Sequence, residues 1–374
     1  MKILSFSLTN KISEWTLNET NLNKFTLLVG ASGVGKTQIL RSLVTLKKIA
    51  LGGSLNGIAW KIKFETDNNN IFLWEGEFET KNDFFNENNE SRFIILSEKL
   101  FLNENQIIER IKGDIFFKKN KTVKLSNTES AIYLLKEEDE VKPAYENIQK
   151  IHFSDQLGFA DDKGIDLDDI DAALIAKYNS VKKLQESDFR TSSKLFLLSI
   201  INTEFFEKIK NRFIEIFPTI EEIGFSIKVS NDIFGETTKT FSIKIKEKGV
   251  LKWIEFPNIS WGMVRTLKHL CEIYLSAEGT VFLIDEFENS LGINCINEII
   301  NDILKSRRQL QFILTSHHPY IINSINYSDW KLVTRNANII KTHNVEKFHI
   351  GKSKHDAFMQ LIQLEEYQTG TEQL

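Results

Sequence analysis

The sequence predicts an α/β protein with a mixed central sheet, an antiparallel β subdomain and an inserted helical lobe, and three observations predict it. Residues 24–37 read KFTLLVGASGVGKT, where a strand-like apolar run meets a glycine-rich turn and then a helix-like stretch. Residues 281–286 (VFLIDE) and 311–316 (QFILTS) are short apolar runs with polar ends, as in strands buried on both faces and joined by crossovers. Between these motifs, β-rich alternation up to about residue 155 gives way to helical spacing from Asp166 to Phe217.

In order along the chain, residues 1–8 and 13–18 alternate as strands do, and 24–29 lead into the turn. A helix over 35–50 follows, ended by Gly52-Gly53. IAWKIKFET and IFLWEGEFET, joined by Asp67-Asn68-Asn69-Asn70, read as a hairpin. From Arg92 to Glu137 the pieces RFIILSE, DIFFKK, TVKLS and AIYLLKE, parted by Asn, Lys and Ser, read as an antiparallel subsheet. The acidic run at 137–140 opens a helix with Pro143 near its first turn, and KIHFSD at 150–155 is one more strand. After the helical stretch, FSIKVSN and FSIKIKEK form another hairpin. From Gly262 the order is helix, strand, helix (293–306), strand, which is crossover logic; KLVTRNANIIKTH closes as a hairpin and SKHDAFMQLIQLEEY as a helix. The expected division is 1–155, 156–262 and 263–374, with no internal repeat and no heptad run long enough for a coiled-coil arm.

Composition bounds the function. With 374 residues, 41% hydrophobic and 26% charged, the chain has the balance of a soluble globular protein of one large or two ordinary domains. A net charge of −4 gives no global electrostatic case for nucleic acid. Cys271 and Cys295 lie far apart outside any CxxC spacing, so neither a zinc site nor a disulfide framework is indicated, and a reduced cytoplasm is the simplest setting. The start MKILSFSLTNK turns polar too soon for a signal peptide, and no run of about 18 apolar residues spans a membrane.

The chemistry resides in the motifs. Gly30, Ala31, Ser32, Gly33, Val34, Gly35, Lys36 and Thr37 match the P-loop pattern GxxxxGK[ST] at every fixed position. Its glycines let successive N–H groups turn onto phosphate oxygens, and the following helix adds its positive end. Lys36 reaches the β- and γ-phosphates of a nucleotide such as ATP, and the Thr37 hydroxyl takes one corner of a Mg2+ octahedron. Asp285, at the carboxyl end of a buried strand, would hold the magnesium directly or through water; Glu286 beside it is the candidate base that polarises the attacking water. In QFILTSHHP the strand ends in Thr315, Ser316, His317 and His318, and a histidine there can donate to a γ-phosphate oxygen.

The series GASGVGKT, NISWGM, VFLIDEFENSL and TSHHPYIIN resembles the motor of the non-transporter ABC-type ATPases: the RecF, SMC and OLD-like proteins and the short defence-associated AAA family ATPases similar to them. The resemblance covers nearly the whole chain. It implies an ABC-type P-loop NTPase in which Ser260 and Gly262 form the signature that reaches the γ-phosphate of a partner protomer. It further implies that Ser290 lies in the D-loop, His317 is the switch histidine and Gln156 is the glutamine lever on the metal. Ser260-Trp261-Gly262-Met263 departs from the usual SGGQ by a bulky Trp261, and Gly292-Ile293 stand where OLD-like chains have His-Pro. Only 57 residues follow His317, too few for a Toprim nuclease, so an effector would be a separate polypeptide, a nuclease or toxin. The leading expectation is an ATP-driven switch, a homodimer or higher oligomer closed around ATP–Mg2+, with a role in bacterial anti-phage defence. Two others stand beside it: a repair-type ATPase clamping DNA through lysines within 117–121 and 242–252, and a small-molecule kinase.

Overall fold

The computed structural model describes residues 1–81, 92–154, 170, 172–231, 237–348, 350 and 354–372. They form two units, one of residues 1–154, 279–287 and 309–374, the other of 155–278 and 288–308.

The first unit is built on one mixed sheet. Its strands are β1 (Lys2–Asn10), β2 (Trp15–Asn21), β3 (Phe25–Val29), β4 (Ile58–Glu65), β5 (Ile71–Phe78), β6 (Ile95–Leu102), β7 (Asn105–Ile111), β8 (Asp114–Phe117), β9 (Asn120–Lys121) and β10 (Ile151–Phe153). Those of the last third are β14 (Val281–Ile284), β15 (Gln311–Thr315), β16 (Trp330–Asn336) and β17 (Ile339–Asn344). Among the described residues fourteen strands run in the order β10-β14-β15-β3-β16-β17-β2-β1-β4-β5-β6-β7-β8-β9. The block from β10 to β16 is parallel, β17 turns back antiparallel on β16 and pairs parallel with β2, and the remainder is antiparallel. β3 is buried at all five positions, as FTLLV requires of a strand covered on both faces.

The helices of this unit are α1 (Lys36–Ala50), α2 (Ala131–Leu134), α3 (Lys142–Gln149), α10 (Pro319–Ser324), α11 (Lys354–Gln363) and α12 (Glu365–Thr369). α1 buries Ile39, Leu40, Leu43, Leu46 and Ile49, the stripe its period dictates, and Lys47 and Lys48 stand in its last turn where the dipole favours cations. In the antiparallel part Trp60, Phe64, Phe72, Trp74 and Phe78 alternate inward, with Phe64 stacked on Phe72 at 5.5 Å.

Two sequence expectations fail here. AIYLLKE is not a strand but carries α2, because two caps meet at its start. The Ser130 hydroxyl accepts from Tyr133 N–H at 3.3 Å, and the buried Glu98 carboxylate accepts from Ala131 N–H at 2.8 Å. Glu98 also accepts from Trp74 Nε1 at 3.0 Å and faces Arg110 at 3.4 Å, while Arg110 donates to the Ser126 and Glu129 carbonyls. TVKLS likewise adds no full strand, since β9 stops at Lys121.

The second unit holds α4 (Ala172–Lys177), α5 (Val181–Gln185), α6 (Thr191–Ile201), α7 (Thr203–Ile216), α8 (Trp261–Leu275) and α9 (Ile293–Lys305). Beside them lies an antiparallel sheet of β11 (Ile220–Asn231), β12 (Thr237–Glu247) and β13 (Ile254–Glu255). Phe196 of α6 stacks on Phe241 at 4.6 Å and meets Phe225 edge-on at 5.1 Å, which locks helix to sheet. Arg212 of α7 clasps α9 through Asp302 at 2.8 Å and Glu298 at 2.6 Å. Among the described residues no helix is long and apolar enough to cross a membrane.

Candidate functional site

The site of the first unit begins where β3 runs out at Val29 and α1 starts at Lys36. Gly35 caps that helix at φ +104°, a conformation open to glycine, and a Cβ there would also stand 2.6 Å from Ile340 Cδ1. Lys36 is buried, and its Nζ donates to the Gly30 and Ala31 carbonyls at 2.9 and 2.7 Å. The ammonium is thereby held across the mouth of the turn.

Thr37, one residue on, donates its hydroxyl proton to Asp285 Oδ2 at 2.8 Å. Asp285 is the first residue past β14, and its other oxygen accepts from the Thr315 hydroxyl at 2.6 Å. Thr315, the last residue of the neighbouring β15, also accepts from Glu286 N–H at 2.8 Å, and its carbonyl accepts from Phe287 N–H at 3.0 Å. These bonds hold Glu286 at φ +46°, an uncommon turn for a side chain of its size, and leave it exposed. A buried strand end, a left-handed residue and two hydroxyls therefore fix the carboxylates relative to the turn.

His317 lies two residues past β15, exposed at the same sheet end. His318 has a structural part: its Nδ1 accepts from Tyr320 N–H at 3.3 Å and caps α10. Ser260 and Gly262 belong to the second unit, at the start of α8. The Ser260 hydroxyl accepts from Met263 N–H at 3.3 Å, and a Cβ on Gly262 would stand 3.0 Å from the Ser290 carbonyl, so the turn that opens α8 lies against the main chain at Ser290. Gln156 lies outside the described residues.

The structure thus brings together Lys36, Thr37, Asp285 and Glu286 by direct bonds or chain adjacency. Sequence reasoning gave Thr315 no role of its own, yet this side chain ties Asp285 to the backbone of Glu286. The one available signal was a polar residue ending the apolar run QFIL. Among the described residues no three or more of His, Cys, Asp and Glu cluster as a metal cage. A hydroxyl and a single carboxylate suit magnesium, which takes much of its shell from water and phosphate.

No curated protein matches the sequence. Among solved structures the chain is similar to an SMC head bound to the C-winged helix domain of ScpA, at 11% identity and TM-score 0.46 over 93% of this chain and 99% of that one. It is similar as well to the SMC head domain from Thermotoga maritima, at 11% identity and TM-score 0.43 over 92% and 99%. A third is an Smc head domain with an extended coiled coil, bound to the C-terminal domain of ScpA derived from Pyrococcus furiosus, at 14% identity and TM-score 0.44 over 93% and 98%. The profile of the family described as "AAA domain, putative AbiEii toxin, Type IV TA system" matches residues 25–323, from the start of β3 into α10, and the chain belongs to that family as a P-loop ATPase.

Proposed function

We propose that the chain binds ATP with magnesium, closes with a second copy around two nucleotides and separates on hydrolysis, acting as a switch on a partner protein. The hydrogen bond from Thr37 to Asp285 carries this reading, because it joins residues 248 positions apart in the pair that phosphoryl transfer needs. Thr37 and Asp285 would hold the magnesium, which supplies neutralisation of phosphate charge when bound. Lys36 exchanges its two carbonyl partners for the β- and γ-phosphates, and the turn from Gly30 to Gly35 offers its N–H groups to the same oxygens. Glu286 polarises the attacking water, and His317 donates to the γ-phosphate. Ser260 and Gly262 serve the nucleotide of the partner protomer, and Gln156 is the lever on the metal.

The family description, which names a toxin and a toxin–antitoxin system, supports a reading in which a second polypeptide delivers or restrains the effect. A role in anti-phage defence and a cytoplasmic setting belong to the same proposal. DNA clamping has less support: Lys118 is paired with Glu140 and Lys121 with Asp114.

The test is mass by light scattering together with ATP turnover. Glu286→Gln with ATP–Mg2+ is expected to run at twice the monomer mass, while Lys36→Ala stays single. Ser260→Arg should bind ATP yet neither pair nor hydrolyse it, and normal turnover in that variant sinks the composite site. Turnover raised by duplex DNA would favour the clamp instead.

A further inference from the structure

We propose that the phosphate loop is braced from outside by β16, β17 and the segment after α12, with Gly370 as the positioning residue that holds the loop in its nucleotide-binding shape. The proposal rests on the ATP reading and deepens it. Every bracing residue lies past residue 323, outside the stretch matched to the family.

Three close approaches make the brace. A Cβ on Gly30 would stand 2.6 Å from the Val333 carbonyl of β16, and one on Gly35 equally near Ile340 of β17. On the third side Gly370, buried and at φ +76°, sits so close to the loop that a Cβ there would overlap Val34 Cγ1 and stand 3.2 Å from Ala31 Cβ. Main chain from the end of α12 therefore lies where no side chain fits, directly against two residues of the P-loop.

The segment is anchored on both sides of that contact. The Gly370 carbonyl accepts from Arg335 N–H at 2.7 Å, on the strand whose Val333 backs Gly30. Arg335 also donates to Gln38 Oε1, in the first turn of α1, at 3.3 Å, and to the Ala337 carbonyl at 3.0 Å. Two residues past Gly370, Glu372 accepts from Lys341 of β17 at 2.8 Å and from Lys347 at 3.3 Å. Helix start, hairpin and C-terminal segment are thus joined by hydrogen bonds and an ion pair, and the loop packs against them. Phosphate capture depends on several N–H groups converging to within about 0.5 Å of a fixed geometry, so the walls around the loop bear on affinity for the nucleotide.

Nucleotide titration on the full chain, with fluorescent ATP and ADP analogues and the melting temperature read alongside, tests this. Gly370→Ala is expected to weaken both nucleotides about five- to tenfold, with kcat at saturating ATP falling less than affinity, since the loop is displaced while the carboxylates keep their bonds. Adding Val34→Ala, which removes the overlapping methyl, should recover most of that affinity relative to Val34→Ala alone. Glu372→Lys, which reverses the outer anchor, should weaken binding two- to threefold and gives a second reading should Gly370→Ala not fold. Wild-type affinity in both Gly370→Ala and Glu372→Lys overturns the brace, as does tighter binding, which would mean that the segment competes with nucleotide. A wild-type chain that binds neither nucleotide overturns the ATP reading as well.

Discussion

Thr315 spends its one hydroxyl twice, donating to Asp285 and accepting from Glu286 N–H. Thr315→Val keeps the shape but orphans that N–H and leaves the Asp285 carboxylate held by Thr37 alone of the two hydroxyls, at an expected cost of about 1–3 kcal/mol. Denaturant unfolding should register the loss, and ATP turnover should fall further than ATP affinity. Glu286→Gln removes the proposed base without touching the backbone bond, so hydrolysis is expected to drop about 10²–10⁴-fold with binding retained. Lys36 and Thr37 were legible from the fixed spacing of the P-loop pattern, and Asp285 and Glu286 from the polar end of a buried apolar run in the same chain. Thr315 was not, since a lone threonine at a strand end has no spacing to betray it and acquires its role from the strand beside it. Ser260 shows the opposite case: the residue singled out by resemblance has an N-cap bond that any serine before a helix would make.

At the scale of elements, α2 shows what local pattern cannot reach. AIYLL is short and apolar enough for a strand, but the carboxylate that caps it comes from Glu98, 33 residues earlier. Burial pushes the Glu98 carboxyl up, against the pull of Arg110. Glu98→Ala would strand Arg110 among carbonyls, and a loss of about 3–5 kcal/mol is expected from chemical denaturation. Lys194 of α6 gives a pH test. It is 8% exposed, donates to the Gln185 carbonyl at 2.7 Å, and burial lowers its ammonium from 10.5 to about 8. Its folded value lies below its unfolded one, so between those limits the unfolded chain holds more protons and stability rises with pH. Lys194→Met should therefore be the more stable protein at pH 7. The difference should shrink by up to about 3 kcal/mol as pH passes from 8 to 10.5, read from denaturant midpoints.

For the whole molecule, the crossovers that seat β3, β14 and β15 together could be read from two apolar runs with polar ends. The joining of that block to the antiparallel strands, through β17 beside β2, could not, because only Ile339 and Ile340 pair there with Thr16 and Leu17. ATP–Mg2+ at a hundred times its Kd should raise stability by about 2.7 kcal/mol, seen as a higher melting temperature that Lys36→Ala lacks. The neighbours of β3 carry a last consequence. Its ladder partners are Gln311–Thr315 on one side and Trp330–Asn336 on the other, so FTLLV emerges from the ribosome with neither companion yet translated. Nascent chains stalled short of Trp330 would present an apolar ribbon with an open edge, a substrate for chaperones. They should remain blind to nucleotide until β16 has cleared the exit tunnel.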